Sequence, residues 1–321
     1  MALSFDPGLT QRYTGDVRRI INKDGSFNVR RTGGQKHLYL QLISMNWRKF
    51  WLLAFCSFLG MNLLFGCIYL LLGRENLVGG DPEMSHFANA FFFSTQTLTT
   101  VGYGHISPRG YATSLTAALE GMFGLMGFAV ITGLLYGRIS RPSARVVFSR
   151  QLVVSPYEGG ASLQFRLANS RPNILMDLEA VVLLMTVEKD DQGQLRRKYA
   201  ELTLERSHVY FFPLTWTVVH PVTAASPLFG KRHEDLVALQ AEFLILIRSY
   251  DDTFSQNVHA RHSYRHEEIV WNARFQPAFY FDDRGDMVLE LEKLDAIEKL
   301  TEPLPVVSPE FAPVTGQRPA C

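Results

Sequence analysis

The stretch from Phe50 to Gly73, FWLLAFCSFLGMNLLFGCIYLLLG, runs for 24 residues without a charged side chain. Wound into a helix it is about 36 Å long, enough to cross a hydrocarbon core of ~30 Å with some tilt. A second run, Gly110 to Gly137, holds one charge, Glu120, in 28 residues. Inside a bilayer every backbone polar group must find its partner within the chain, so both runs are expected to be transmembrane helices. The remaining residues must then be arranged around a membrane.

Basic residues set the orientation. Lys36, Arg48 and Lys49 precede the first span, and Arg138, Arg141 and Arg145 follow the second. The connection, residues 74–109, sets Arg74 and Arg109 against Glu75, Asp81 and Glu83. Positive flanks stay inside, so both termini are expected in the cytoplasm, at the cell (inner) membrane. A net charge of +1 with 20% charged residues argues against a nucleic-acid binder. Cys56 and Cys67 lie within the first span and Cys321 ends the chain, which is no disulfide framework.

Five regions follow. Residues 1–35 are a polar cytoplasmic segment with a turn signal at Asp24-Gly25. Residues 36–47 place Leu38, Leu42 and Met45 at helical spacing, which predicts an amphipathic helix on the inner membrane surface. A plain extension of the first span is the alternative. Residues 48–139 form the membrane domain. Within it HFANAFFFSTQTLTT, His86 to Thr100, is too short to cross and is expected to be a re-entrant helix lining a protein cavity. Residues 140–300 carry short apolar strands, including 163–167, 178–187 and 241–247, separated by Gly and Asp turns, the pattern of a β-sandwich. Residues 301–321 hold five prolines and are expected to be disordered.

The residues between the two spans carry the chemistry. Thr100-Val101-Gly102-Tyr103-Gly104 follows the re-entrant helix directly. A cation entering a low-dielectric region loses solvation unless oxygens replace its water. Four TVGYG loops do this with rings of backbone carbonyls, the filter of potassium channels. Glycines at 102 and 104 free the backbone to turn carbonyls inward, while Val101 and Tyr103 face away and pack. Potassium is therefore the expected ion at Thr100, Val101, Gly102 and Tyr103, and no catalytic set is visible.

Glu120 needs a partner, because an intramembrane carboxylate is costly. It either faces the ion cavity or sits behind the filter, bonded to hydroxyls such as those of Ser94 or Thr97. Gly124 is either a packing glycine or a hinge. Phe128 and Tyr136 are large rings toward the cytoplasmic end, suited to a hydrophobic constriction that closes a pore by dewetting. Arg48, Lys49, Arg138 and Arg141 lie where helices meet the inner leaflet, and either attract an anionic lipid headgroup or simply set orientation.

Together these residues resemble the prokaryotic inward-rectifier potassium channels, the KirBac family. The likeness extends through Asp24-Gly25-Ser26, Ser94 to Gly104, Arg138-Ile139-Ser140-Arg141-Pro142, His220-Pro221, Ser226 to Gly230, Ala260-Arg261 and Glu268-Ile269-Val270-Trp271. The resemblance implies a homotetramer with an interfacial slide helix, two membrane helices per subunit and a cytoplasmic immunoglobulin-like sandwich. It also implies a gate at Phe128 with a second ring at Tyr136, and sensitivity to phosphoinositide-like lipid. The fold class expected is thus a two-helix membrane pore with a re-entrant helix, joined to an all-β domain. Two rival functions stand beside it: a weakly rectifying ligand-gated potassium channel, and a non-conducting membrane-anchored sensor. The segment Asp252 to His259 is expected to be a narrow loop of the sandwich, and His259, His262 and His266 are expected at its surface or an interface.

Overall fold

The computed structural model describes residues 7–13, 15, 19–30, 32–33, 37–140 and 145–301. The chain forms two units, residues 32–141 and residues 1–31 with 142–321. Expectations for residues 302–321, and for Arg141, lie outside the described residues.

In the first unit, α1 (Leu38–Ser44) and α2 (Trp47–Leu72) are separate helices. Met45 is extended between them, and the Asn46 side chain accepts the Arg48 N–H at 3.3 Å, capping α2. The short amphipathic helix is therefore not an extension of the first span. A 3-10 turn leads to β1 (Leu77–Gly79), which pairs antiparallel with β2 (Ile106–Pro108). Between these strands lies α3 (His86–Leu98), capped by Ser85, whose hydroxyl accepts the Ala88 N–H at 3.2 Å. The helix stops two residues short of the expected Thr100, because Thr100 has φ +59°, which no helix accommodates. The second long helix, α4 (Tyr111–Ile139), starts after Gly110. Phe65, Tyr69, Ala90, Phe93 and Ile106 form the shared core of this unit, with the Tyr69 and Phe93 rings edge-on at 4.9 Å.

Helix α4 is unusual in how little of it is covered. Among its residues only Thr113 and Glu120 are buried, while Leu115, Leu119, Met122, Leu125, Met126, Phe128 and Val130 are exposed. An apolar helix bare over its length belongs in lipid or against other subunits. It runs unbroken through Gly124. A Cβ there would collide with the Leu98 carbonyl, so this glycine permits close approach of α4 to the end of α3 rather than a bend.

The other unit is a sandwich of two five-stranded sheets. One has β3 (Val146–Phe148), β4 (Leu152–Tyr157), β5 (Gly160–Asn169), β9 (Thr215–Pro221) and β12 (Ile269–Trp271), in the order β12-β4-β5-β3 with β9 also on β5. The second contains β6 (Leu175–Lys189), β7 (Leu195–Glu201), β8 (His208–Phe211), β10 (Glu242–Asp251) and β11 (Gln256–Arg265), in the order β11-β10-β6-β7 with β8 on β6. The Glu158-Gly159 signal makes the two-residue turn between β4 and β5, both residues having positive φ, as a primed hairpin turn requires. Inward residues Leu163, Phe165, Leu178, Leu184, Phe243, Ile245 and Ile247 fill the space between sheets. The expected loop at 252–259 is narrower: residues 252–255 form the β10–β11 turn, where the Asp251 carboxylate accepts the Thr253 N–H at 3.0 Å and the Phe254 N–H at 3.3 Å.

One expectation is overturned. His262 and His266 are each only 7% exposed, and His259 alone of the three is at the surface. Alternation along β11 turns residue 262 inward opposite Ile245, and a strand reading alone does not reveal which face is covered.

Two substitutions test this packing. Phe243→Ala, which empties the centre of the sandwich, lowers its stability by about 3–5 kcal/mol in denaturant melts of the purified protein. Gly124→Val forces α4 off the end of α3 and costs about 1–3 kcal/mol. Thermal melts in detergent should show that loss, and Gly127→Val, which meets nothing within 4 Å in its own chain, should show less.

Candidate functional site

The loop Thr100–Gly104 begins where α3 ends, and two backbone bonds hold it there. The Thr100 N–H donates to the Thr97 carbonyl at 3.0 Å, and the Gly102 N–H donates to the Gln96 carbonyl at 3.1 Å. Positive φ occurs at Thr100 (59°), Gly102 (53°) and Gly104 (83°), whereas Val101 and Tyr103 are not in that region. Alternating left- and right-handed residues turns successive peptide planes the same way, so N–H groups gather on one side and carbonyls on the other. An ordinary strand does the opposite, with carbonyls alternating. Glycines supply two of the left-handed positions without strain, and Thr100 occupies the third despite its branched side chain. Val101 and Tyr103 are more than half exposed in the single chain, at 54% and 78%.

Behind the loop, one carboxylate joins three helices. Glu120 of α4 is fully buried; its Oε1 accepts from the Ser94 hydroxyl of α3 at 2.5 Å, and its Oε2 accepts from the Tyr69 hydroxyl of α2 at 2.6 Å. Asn62, also fully buried, lies 3.3 Å from Ser94 Oγ and donates its amide to the Phe58 carbonyl at 2.8 Å. Ser94 is thus the partner of Glu120 that the sequence offered for a place behind the loop. Thr97 is not its partner: that hydroxyl donates to the Phe93 carbonyl at 2.8 Å, one turn back along α3. Tyr69 and Asn62 were not singled out from the sequence. Their signal was there, since seven residues make nearly two turns and put both polar groups on one face of an otherwise apolar span.

On one side of the loop's start, a space of about 610 Å³ lies between α2 and α4, lined by Phe58, Met61, Thr99, Thr100, Phe123 and Phe128, among others. Phe128 is 73% exposed and Tyr136 is 74% exposed. A second space of about 480 Å³ lies against the other side of the loop, where Val101, Tyr103 and Phe92 expose apolar edges. Gln96 lines it, buried, with neither side-chain polar atom hydrogen-bonded among the described residues.

The basic residues near the helix ends differ in what they do. Arg138 donates from its two terminal nitrogens to the carbonyls of Leu42 and Met45, each at 2.6 Å, and its guanidinium lies over the rings of Trp47 and Phe50 at 4.6 and 4.7 Å. It satisfies the free carbonyls at the end of α1, which the chain leaves without helical partners. Arg138 is thus occupied as a structural cap, whereas Arg48 and Lys49 are exposed.

Comparison with known proteins agrees with this architecture. Residues 146–311 match the inward rectifier potassium channel C-terminal domain, and residues 57–141 match a family described as ion channel. The chain is 38% identical over 286 residues to the inward rectifier potassium channel Kirbac3.1 of Paramagnetospirillum magnetotacticum, covering 87% of this chain and 95% of that one. It is 27% identical over 317 residues to the human ATP-sensitive inward rectifier potassium channel 10, covering 89% and 82%. Human channel 14 matches at 27% over 299 residues, covering 85% and 69%. With two apolar helices able to span a membrane and an all-β domain after them, this chain belongs to the inward rectifier potassium channels, on their prokaryotic branch, a family of channels and not of enzymes.

Proposed function

We propose that the chain is one subunit of a homotetrameric potassium pore, in which four Thr100–Gly104 loops surround a common axis and their carbonyls replace the hydration shell of K⁺. The observation that carries this reading is the alternation of left-handed φ at residues 100, 102 and 104, which faces the carbonyls one way. The apolar edges of Phe92, Val101 and Tyr103, and the bare length of α4, are the surfaces that neighbouring subunits would cover. Glu120 holds the loop's base in place from behind through Ser94 and Tyr69. Phe128 and, nearer the cytoplasm, Tyr136 form rings that close the pore by excluding water. The sandwich modulates that gate, both termini are cytoplasmic, and the protein resides in the cell membrane.

For anionic lipid, the exposed pair Arg48 and Lys49 is the better candidate, with Arg141 a further one, because Arg138 already spends both terminal nitrogens on α1.

Four experiments test these assignments. Purified protein in liposomes should pass K⁺, exclude Na⁺ and be blocked by Ba²⁺; Na⁺ flux equal to K⁺ flux would refute the filter reading. Replacing both Arg48 and Lys49 by Gln should weaken binding to vesicles containing anionic phospholipid by about 10- to 30-fold, at ~1 kcal/mol per charge. Arg138→Gln should instead lower the melting temperature with little change in vesicle affinity. Phe128→Ala should raise resting K⁺ flux, and an unchanged flux would remove Phe128 from the gate.

A further inference from the structure

The space of about 480 Å³ beside the Thr100–Gly104 loop has a polar lining that the proposed pore leaves without a task. Its apolar edges belong to the subunit contacts proposed above, but Asp81, Gln96 and His105 line it as well. Asn89, Thr95 and Thr99 also reach it, and each of them has side-chain bonds within the chain. Gln96 does not. It is 5% exposed, and neither its Oε1 nor its Nε2 has a partner among the described residues. A buried amide left unmet carries its full desolvation penalty, so a group that both donates and accepts belongs in this space.

His105 is the first residue after the loop, and the chain fixes its backbone. Its carbonyl accepts the Gly80 N–H at 3.2 Å, Ile106 beyond it pairs with Gly79, and a Cβ on Gly79 would collide with that carbonyl. The imidazole is exposed beside the Tyr103 ring, centroids 6.4 Å apart, and neither ring nitrogen is hydrogen-bonded among the described residues. Asp81 follows Gly80 directly. Asn89 of α3 pins its backbone, accepting the Asp81 N–H at 3.1 Å and donating to the Asp81 carbonyl at 2.9 Å. Of the carboxylate, Oδ1 accepts the Glu83 N–H at 2.9 Å, and Oδ2 has no partner among the described residues. An imidazole and a carboxylate oxygen thus open, from fixed backbone, on the space that holds the Gln96 amide.

We propose that Asp81 and His105 bind one zinc-class divalent cation per subunit, with Gln96 holding its water, and that the bound ion inhibits K⁺ flux. Imidazole together with carboxylate suits Zn²⁺, whereas Mg²⁺ and Ca²⁺ prefer oxygen donors throughout. No group of three His, Cys, Asp or Glu side chains suited to a metal occurs among the described residues, so the ion keeps water in its remaining positions. At about 30 Å³ per water, the space has room for the ion and several waters. Metal-bound water donates to the Gln96 Oε1 and a further water accepts from its Nε2, which gives the buried amide the partners it lacks. The connection between the spans carries this site and faces away from the cytoplasm in the orientation proposed above. A double positive charge there, once per subunit, repels K⁺ approaching the outer end of the loop. It also ties the loop's exit at His105 to Gln96, whose carbonyl takes the Gly102 N–H at 3.1 Å.

The probe is Zn²⁺ alone, titrated by calorimetry into the full-length protein in detergent. The parent should take up Zn²⁺ at a site that a large excess of Mg²⁺ leaves unchanged. His105→Gln and Asp81→Asn, both at exposed positions, should each weaken that site by about tenfold or more. Gln96→Leu, which removes the hold on water, should weaken it about tenfold, and Gln96→Glu, which keeps an acceptor, should bind as the parent does. Equal affinity in the parent, His105→Gln and Asp81→Asn overturns the site, and displacement by Mg²⁺ overturns the donor assignment. The inhibition rests on the channel reading above and is measured separately, as K⁺ flux in liposomes with Zn²⁺ on both faces. Flux should fall in the parent and much less in His105→Gln, each compared with its own flux without Zn²⁺. An equal fall in both, or none in a conducting parent, overturns the inhibition. Protein that binds Zn²⁺ through these residues yet passes no K⁺ in its absence refutes the channel reading and leaves the site intact.

Discussion

A single buried carboxylate organises the membrane unit. Glu120 reaches Ser94 on the re-entrant helix and Tyr69 on the first span, so its two oxygens tie α2, α3 and α4 to one point. In a soluble protein water would compete for such a group. Within a bilayer no competitor exists, and an unpaired partner would carry its full desolvation penalty. The three helices therefore have a strong reason to keep one relative placement, and the loop that follows α3 inherits that precision.

The loop itself uses the opposite device. It has few side-chain bonds of its own, and its shape comes from backbone handedness at three alternating positions. Two N–H groups return to the carbonyls of Gln96 and Thr97, so the end of α3 serves as the loop's foundation. Close approach of α4 at Gly124 braces the same end of α3. A similar economy appears at α1, where a helix of seven residues is too short to be stable alone. Arg138 supplies from α4 the donors that its last carbonyls lack, and its guanidinium lies against the rings of Trp47 and Phe50, which meet each other edge-on.

Legibility varied with how local the cause was. The spans, the re-entrant helix and the loop could be read because uninterrupted apolar runs and a five-residue motif act through nearby atoms. The primed turn at Glu158-Gly159 and the cap at Ser85 were local in the same sense. Arg138 shows the limit. As a basic residue at a membrane-facing helix end it was open to a lipid headgroup or to a bare orientation role, and its partners within the chain are carbonyls more than ninety residues earlier. His262 is a second case, since the ring stacked flat on it, Phe148, belongs to β3 in the opposite sheet.

The sequence alone determined the two apolar spans, the Thr100–Gly104 motif and the resemblance to a channel family, because hydrophobic length and backbone chemistry are properties of contiguous residues. Only the tertiary structure decided which hydroxyls receive Glu120, that Thr97 is not among them, that Gly124 is a packing contact, and that two histidines are buried. Each of those outcomes depends on groups distant in sequence arriving at one place, and desolvation there makes the choice of partner matter.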